Sequence, residues 1–180
     1  LQCSFLSRYL AKNYWRAKNN PCDNGQHILS LWPNDQWIKR KSILEFGANW
    51  GGNLKSINDQ FPHLHVTGID INPSVKELEK RYANYRGVVG DEKTLTTLPS
   101  DCFDLAFTIS VIDHIPSEKI ARNTLGELVR VAESAVLLEP FIQGVHGDVS
   151  HLSRKQLREG LPDPHKQFGQ YCYLWNYASG

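Results

Sequence analysis

The chain has 180 residues, 20 basic against 19 acidic for a formal net charge of +1, and 41% hydrophobic residues. That length and apolar content suit one domain, 1–180, with a sizeable core and exclude a disordered polymer. The charge balance argues against a nucleic-acid partner or a membrane surface, because phosphate binding draws on clustered excess cation.

The basic runs Lys39-Arg40-Lys41 and Arg154-Lys155-Gln156-Leu157-Arg158 are short and read as solvated faces or a strand approach. Of the four cysteines, Cys3, Cys22, Cys102 and Cys172, no two have C-x-x-C spacing and none sits near a His pair at zinc-ligand spacing. Reduced thiols in a cytoplasmic protein, with no metal, are expected, and a Cys3–Cys22 disulfide stays open. No apolar run approaches the ~20 residues of a membrane span.

In chain order, residues 4–18 place Leu6, Tyr9, Leu10, Asn13, Tyr14 and Ala17 at helical spacing, which predicts an aromatic-rich N-terminal helix. Residues 19–36 read as loop with one short helical piece around His27 to Leu31. Ser42 to Phe46 is a short apolar run ending at Gly47, the signal of a buried strand. Gly51 to Phe61 predicts a helix with Leu54, Ile57 and Phe61 on one face, stopped by Pro62.

His65 to Asp70 predicts a second strand, and Asn72-Pro73 reads as an N-cap with proline at the first helical position. Gly87 to Gly90 predicts a third strand and Phe103 to Ser110 a fourth, strongly apolar one. Ser117 to Ala132 predicts a helix with Ile120, Leu125, Leu128 and Val129 inward, and Ser134 to Phe141 a fifth strand. Strands alternating with helices imply parallel pairing through right-handed crossovers, hence an α/β, doubly wound sheet. Ligands of such sheets lie beyond the carboxyl ends of the strands.

The first strand end reads Glu45-Phe46-Gly47-Ala48-Asn49-Trp50-Gly51-Gly52. Glycines at 47 and 51 allow a tight turn and close backbone approach, and the following helix start offers N–H groups to an anion. The pattern is E-x-G-x-x-x-G, with Asn49 where a dinucleotide fingerprint carries its middle glycine. Asp70, 19 residues after Gly51, ends the next strand and can accept both hydroxyls of a ribose. Gly90-Asp91-Glu92 ends the third strand, where a carboxylate can accept from an adenine amino group. The fourth end, Phe103-Asp104 through Ser110-Val111-Ile112-Asp113-His114-Ile115-Pro116, carries Asp113 and His114 in its loop. Each piece also has a plain structural reading as a turn, a cap or a solvated acid.

Together the four ends resemble the motif series of class I S-adenosylmethionine-dependent methyltransferases of the small-molecule group, over residues 42–141. The F-D-x6-V-x-x-H-I-P stretch is the most specific part. The resemblance implies a Rossmann-like, mostly parallel sheet, with S-adenosylmethionine as cofactor and S-adenosylhomocysteine as product. It places Glu45, Gly47, Ala48, Asn49 and Gly51 at the methionine part and Asp70 with Ile71 at the ribose. Asp91 and Glu92 fall at the adenine, and Ser110 and Val111 near the methyl group. The implied reaction is methyl transfer to an N or O atom of a small-molecule acceptor such as an amino sugar or a natural-product intermediate.

His114 is the candidate base, with Asp113 the weaker one, because an imidazole titrates near neutrality. A loop-positioning role for His114 stays open. Tyr9, Asn13, Tyr14, Trp15 and Arg16, within 1–36, resemble a lid, and Glu139 with the segment 142–180 is expected on the acceptor side. Most of the histidines there read as surface residues.

Only 39 residues follow Phe141. In the family that the chain resembles, a run like Tyr171 to Tyr177 reads as the helix just before strand six, so the final antiparallel hairpin is expected to be lacking. Strand four or five would then be an exposed edge for a homo-oligomer to cover. Competing readings are a non-catalytic S-adenosylmethionine-binding module, an NAD-type oxidoreductase, and another chemistry on the same cofactor, such as aminocarboxypropyl transfer.

Overall fold

The structure is a computed structural model that describes residues 25–31, 33–115, 117–140 and 171–174. It divides into two compact units, Leu1–Asp91 and Glu92–Gly180, and each is described by itself. The expected helix over 4–18 and the lid residues Tyr9, Asn13, Tyr14, Trp15 and Arg16 lie outside the described residues, as do Cys3 and Cys22. Cys102 is a free thiol.

The first unit carries helices α1 (Gly25–Leu29), α2 (Asn34–Lys39) and α3 (Gly52–Gln60), and strands β1 (Ser42–Phe46), β2 (His65–Asp70) and β3 (Tyr85–Val89). Both strand pairings are parallel, with β2 in the middle: Phe46 stands opposite Ile69, and Asp70 opposite Val89. The three carboxyl ends are therefore level in register. Ile43, Leu44, Val66 and Ile69 are buried, as strands covered on both faces require. Leu54 and Ile57 of α3 are wholly buried, each worth about 1.5–3 kcal/mol.

Helix α2 begins at the end of the segment 19–36 that the sequence reads as loop and runs past it. Pro33 precedes it, Asp35 occupies its first turn and Lys39 its last, a charge arrangement that suits the helix dipole. Its anchor is Trp37, which is wholly buried, stacks on Phe61 at 5.7 Å between ring centroids and donates from Nε1 to the Leu29 carbonyl at 2.9 Å.

After β2, Pro73–Lys80 forms a 3-10 helix rather than an α-helix. Its buried residues Val75 and Leu78 are three apart, the 3-10 repeat. The Tyr85 hydroxyl donates to the Val75 carbonyl at 2.8 Å, engaging an acceptor that an α-helix would turn toward residue 79.

The second unit carries α4 (Glu92–Thr96), β4 (Phe103–Ile109), a 3-10 turn (Ile112–His114), α5 (Glu118–Val131), β5 (Ala132–Pro140) and β6 (Tyr171–Leu174). β4 and β5 are parallel, Leu105 opposite Ser134 and Ile109 opposite Leu138. Leu125, Leu128 and Val129 of α5 are buried, as the helical spacing predicts. α4 is a further element that the sequence reading lacks. Leu95 on it is wholly buried, and its carbonyl accepts from Arg130 Nη2 at 3.0 Å.

The helix expected at Tyr171 to Tyr177 is corrected. Tyr171–Leu174 is a strand, antiparallel to β5 with Leu138 opposite Leu174, and not a helix. β5 is therefore paired on both sides among the described residues, and β6 takes the outer position. No second antiparallel strand occurs among the described residues. Among the same residues, no helix is long and apolar enough to cross a membrane.

Candidate functional site

The three level strand tips of the first unit bring together the residues singled out at each. The Gly47 N–H donates to the Ile69 carbonyl at 2.7 Å and that of Ala48 to the same carbonyl at 3.2 Å, so the β1 bend folds onto the end of β2. The Gly90 N–H donates to the Asp70 carbonyl at 2.8 Å, which seats the end of β3, and with it Asp91, beside the same tip.

The bend itself is a run of left-handed backbone. Gly47, Asn49 and Gly51 have φ of 82°, 50° and 89°. Glycine adopts this region freely, and asparagine does so more readily than most side chains. Gly51 is also the N-cap of α3 and brings no side chain to its first turn, leaving the start of the helix available to an anion.

Asp70 ties the bend to the next loop. Its Oδ2 accepts from the Asn49 N–H at 2.6 Å and its Oδ1 from the Asn72 N–H at 2.7 Å. Burial pushes this carboxyl above the ordinary carboxylate range, while the Asn72 and Asn49 N–H groups pull it back down. A carboxylate has about four acceptor sites, so two N–H donors leave room for two more. Ile71, next in the chain, is half-buried.

Glu45 differs from its neighbours. It is 1% exposed, and its Oε1 accepts from Asn53 Nδ2 at 2.6 Å. The carboxylate thus lies beneath the bend and braces the first turn of α3 from inside.

Beneath the bend lies Tyr85. A Cβ built on Gly51 would stand 2.7 Å from its hydroxyl, and one on Gly68 2.8 Å. Burial raises the Tyr85 hydroxyl well above its ordinary titration range, and the Glu45, Glu79 and Asp70 carboxylates add to this. It is a fixed donor and not a proton carrier.

In the second unit, Ser110 follows β4 with φ of 53°, a left-handed position unusual for serine. The chain then turns through Ile112–His114, where Ile112 is buried, His114 is exposed and the His114 N–H donates to the Val111 carbonyl at 3.0 Å. Asp113 lies in the same turn. Glu92 opens α4, while Glu139 lies in β5 opposite Tyr173.

Sequence reasoning did not single out Asn53, Ser74 or Tyr85, and it read Asn72 only as a cap. Asn72 was the accessible one: an asparagine two residues after a strand-ending aspartate can cap and still present its amide nitrogen elsewhere. Nothing in the pattern marks Tyr85 as the support of a bend more than 30 residues upstream.

Residues 44–134, half of the chain, match the model of a family described as a methyltransferase domain. The chain belongs to this methyltransferase family. No curated protein sequence matches it. Solved structures do, at low identity. Phosphoethanolamine N-methyltransferase 1 of Haemonchus contortus, held with phosphoethanolamine and S-adenosylhomocysteine, is 17% identical over 76% of this chain and 33% of its own, with a TM-score of 0.61. The N-methyltransferase NodS of Bradyrhizobium japonicum, in complex with S-adenosylhomocysteine, is 17% identical over 72% and 71%, with a TM-score of 0.53. An O-methyltransferase family protein of Burkholderia thailandensis is 11% identical over 85% and 55%, with a TM-score of 0.63. The chain thus spans about a third of the Haemonchus contortus enzyme and just over half of the Burkholderia protein. The likeness is one of fold: a Rossmann-like, doubly wound α/β sheet, mostly parallel.

Proposed function

We propose that this protein binds S-adenosylmethionine at the strand tips of its first unit and transfers the methyl group to an N or O atom of a small molecule. The observation that carries this reading is the Asp70 carboxylate. It is held by the Asn49 and Asn72 N–H groups and keeps acceptor capacity for a vicinal diol. Family membership supports it, as do relatives crystallised with S-adenosylhomocysteine.

The donor set suits each part of the cofactor. The left-handed bend of Gly47, Ala48, Asn49 and Gly51 and the uncapped start of α3 supply N–H groups for an amino-acid carboxylate. Glu45 acts from below, through Asn53. Asp70 takes the ribose, with Ile71 against it, and Asp91 and Glu92 are assigned to the adenine.

Bound S-adenosylmethionine would supply an electrophilic methyl on its sulfonium, with S-adenosylhomocysteine as the leaving group. The chain's own task is then chiefly alignment, which is worth on the order of 7–11 kcal/mol in well-oriented systems. Ser110 and Val111 are assigned to the methyl side, and His114, with Asp113 as alternative, to the acceptor's proton. Tyr9, Tyr14, Trp15, Arg16 and Glu139 keep the lid and acceptor roles that the resemblance implies. The cysteine pattern supports a reduced, cytoplasmic setting.

Titration calorimetry with S-adenosylhomocysteine and with NAD, followed by a mass-shift screen of amine and hydroxyl acceptors, tests the reading. Binding of the first ligand and a gain of one methylene mass on an acceptor are expected. Binding of NAD alone would replace the reading with an oxidoreductase, and S-adenosylmethionine binding without transfer would reduce it to a binding module.

A further inference from the structure

Asn49 holds a left-handed backbone that glycine would adopt unaided, and it is gripped from several sides. Its N–H lies on Asp70 Oδ2 at 2.6 Å. Its side-chain Oδ1 accepts from Asn72 Nδ2 at 3.3 Å and from the Ser74 hydroxyl at 3.4 Å. Asn72 is itself fixed: it is 6% exposed, its N–H donates to Asp70 Oδ1 at 2.7 Å, and its Oδ1 caps the Ser74 N–H at 3.1 Å. The cap settles which way the amide points, since the oxygen must face the Ser74 N–H and the nitrogen is left for Asn49. The result is a closed ring, Asp70 to Asn49 to Asn72 and back to Asp70, joining two loops 23 residues apart in sequence.

We infer that Asn72 is a positioning residue for the cofactor cradle: its side-chain amide holds Asn49 in the left-handed conformation that aims the bend. This rests on the proposed cofactor reading. An amide is the smallest group that can cap with one atom and donate with another, which separates this role from capping. Serine caps a helix about as well as asparagine but is too short to reach Asn49. Glycine at 49 needs no holding.

The test is a double-mutant cycle on the full chain with Asn72→Ser and Asn49→Gly, read by calorimetry with S-adenosylhomocysteine and by amide hydrogen exchange without ligand. Asn72→Ser is expected to keep the melting temperature, weaken S-adenosylhomocysteine about fivefold and speed exchange at the Asn49 amide by a similar factor. On the Asn49→Gly background the same change is expected to move affinity by less than about twofold. Equal losses on both backgrounds, or faster exchange throughout β2 and the 3-10 helix, would show a cap role only and overturn the inference. Unchanged exchange at Asn49 would overturn it as well. If the unaltered protein fails to bind S-adenosylhomocysteine, the functional reading falls. The exchange arm still decides whether Asn72 holds Asn49.

Discussion

The Tyr85 hydroxyl lies where a side chain on Gly51 would begin, 2.7 Å from the Cβ that any other residue would place there. Leu78 Cδ1 crowds the same point at 2.7 Å, and φ at Gly51 is 89°. Gly51→Ala therefore meets both backbone strain and overlap, and a loss of on the order of 2–4 kcal/mol in urea unfolding is expected. Tyr85→Phe leaves the Val75 carbonyl without its donor, for a loss of about 1–3 kcal/mol. Because removing the hydroxyl makes room for the new methyl, the double variant is expected to lose less than the two together. Strict additivity would show that the two sites do not meet.

The brace beneath the bend can be tested by charge. Asn53→Ala strips a donor from the buried Glu45 carboxylate and is expected to destabilise by about 1–3 kcal/mol. Asn53→Asp sets two acids face to face and is expected to do worse. Adding Glu45→Gln to Asn53→Asp restores a donor to the pair and is expected to recover part of the loss. No recovery in chemical denaturation would mean that Glu45 and Asn53 act separately.

Asp70 gives a pH dependence with a definite sign. Burial raises its folded titration above the ordinary value of 3.8, so the folded protein binds this proton more tightly than the unfolded chain. The contribution to stability is full below that value and is lost as pH rises through the raised one. Asp70→Asn has no such titration. The stability of the unaltered protein minus that of Asp70→Asn is expected to fall with pH in this window and stay flat above it. Denaturant unfolding of both proteins between about pH 3.5 and 7 reads this, and a difference that grows with pH would reverse the assigned cause. Ligand binding has the opposite sense: S-adenosylhomocysteine affinity is expected to weaken on acidification, since a protonated carboxyl offers fewer acceptors.

These sites show what a linear pattern can and cannot reveal. β1 and β2 were legible to the residue, because a buried parallel strand is a short apolar run closed by a turn residue. α5 was legible because Leu125, Leu128 and Val129 repeat at helical spacing. Two of the short helices were not: α2 depends on Trp37 finding Phe61 and the Leu29 carbonyl, and α4 on Leu95 and Arg130, contacts that no local period encodes. Tyr171–Leu174 differs from the helix that the resemblance implies because four aromatic and apolar residues suit helix or strand alike, and pairing with β5 decides between them. At the site, Gly47, Asp70 and Asp91 could be named from the strand ends. The reach of Asn72 to Asn49, and the burial of Glu45, arise only once the loops are folded together.

Substitution of His114 offers a test that separates chemistry from binding. It is exposed, and its main chain is pinned by its own N–H on the Val111 carbonyl, so the turn does not depend on the ring for that bond. If the imidazole takes the acceptor's proton, His114→Ala lowers kcat by on the order of 10²–10⁴ and leaves S-adenosylhomocysteine affinity within about twofold. His114→Gln distinguishes the two roles that the sequence leaves open. Glutamine can hydrogen-bond but cannot accept the proton at neutral pH, so it is expected to be as slow as alanine if His114 is the base. Near-normal turnover of His114→Gln would make the ring a positioning group. An equal loss of cofactor affinity and turnover in His114→Ala would remove it from the chemistry altogether.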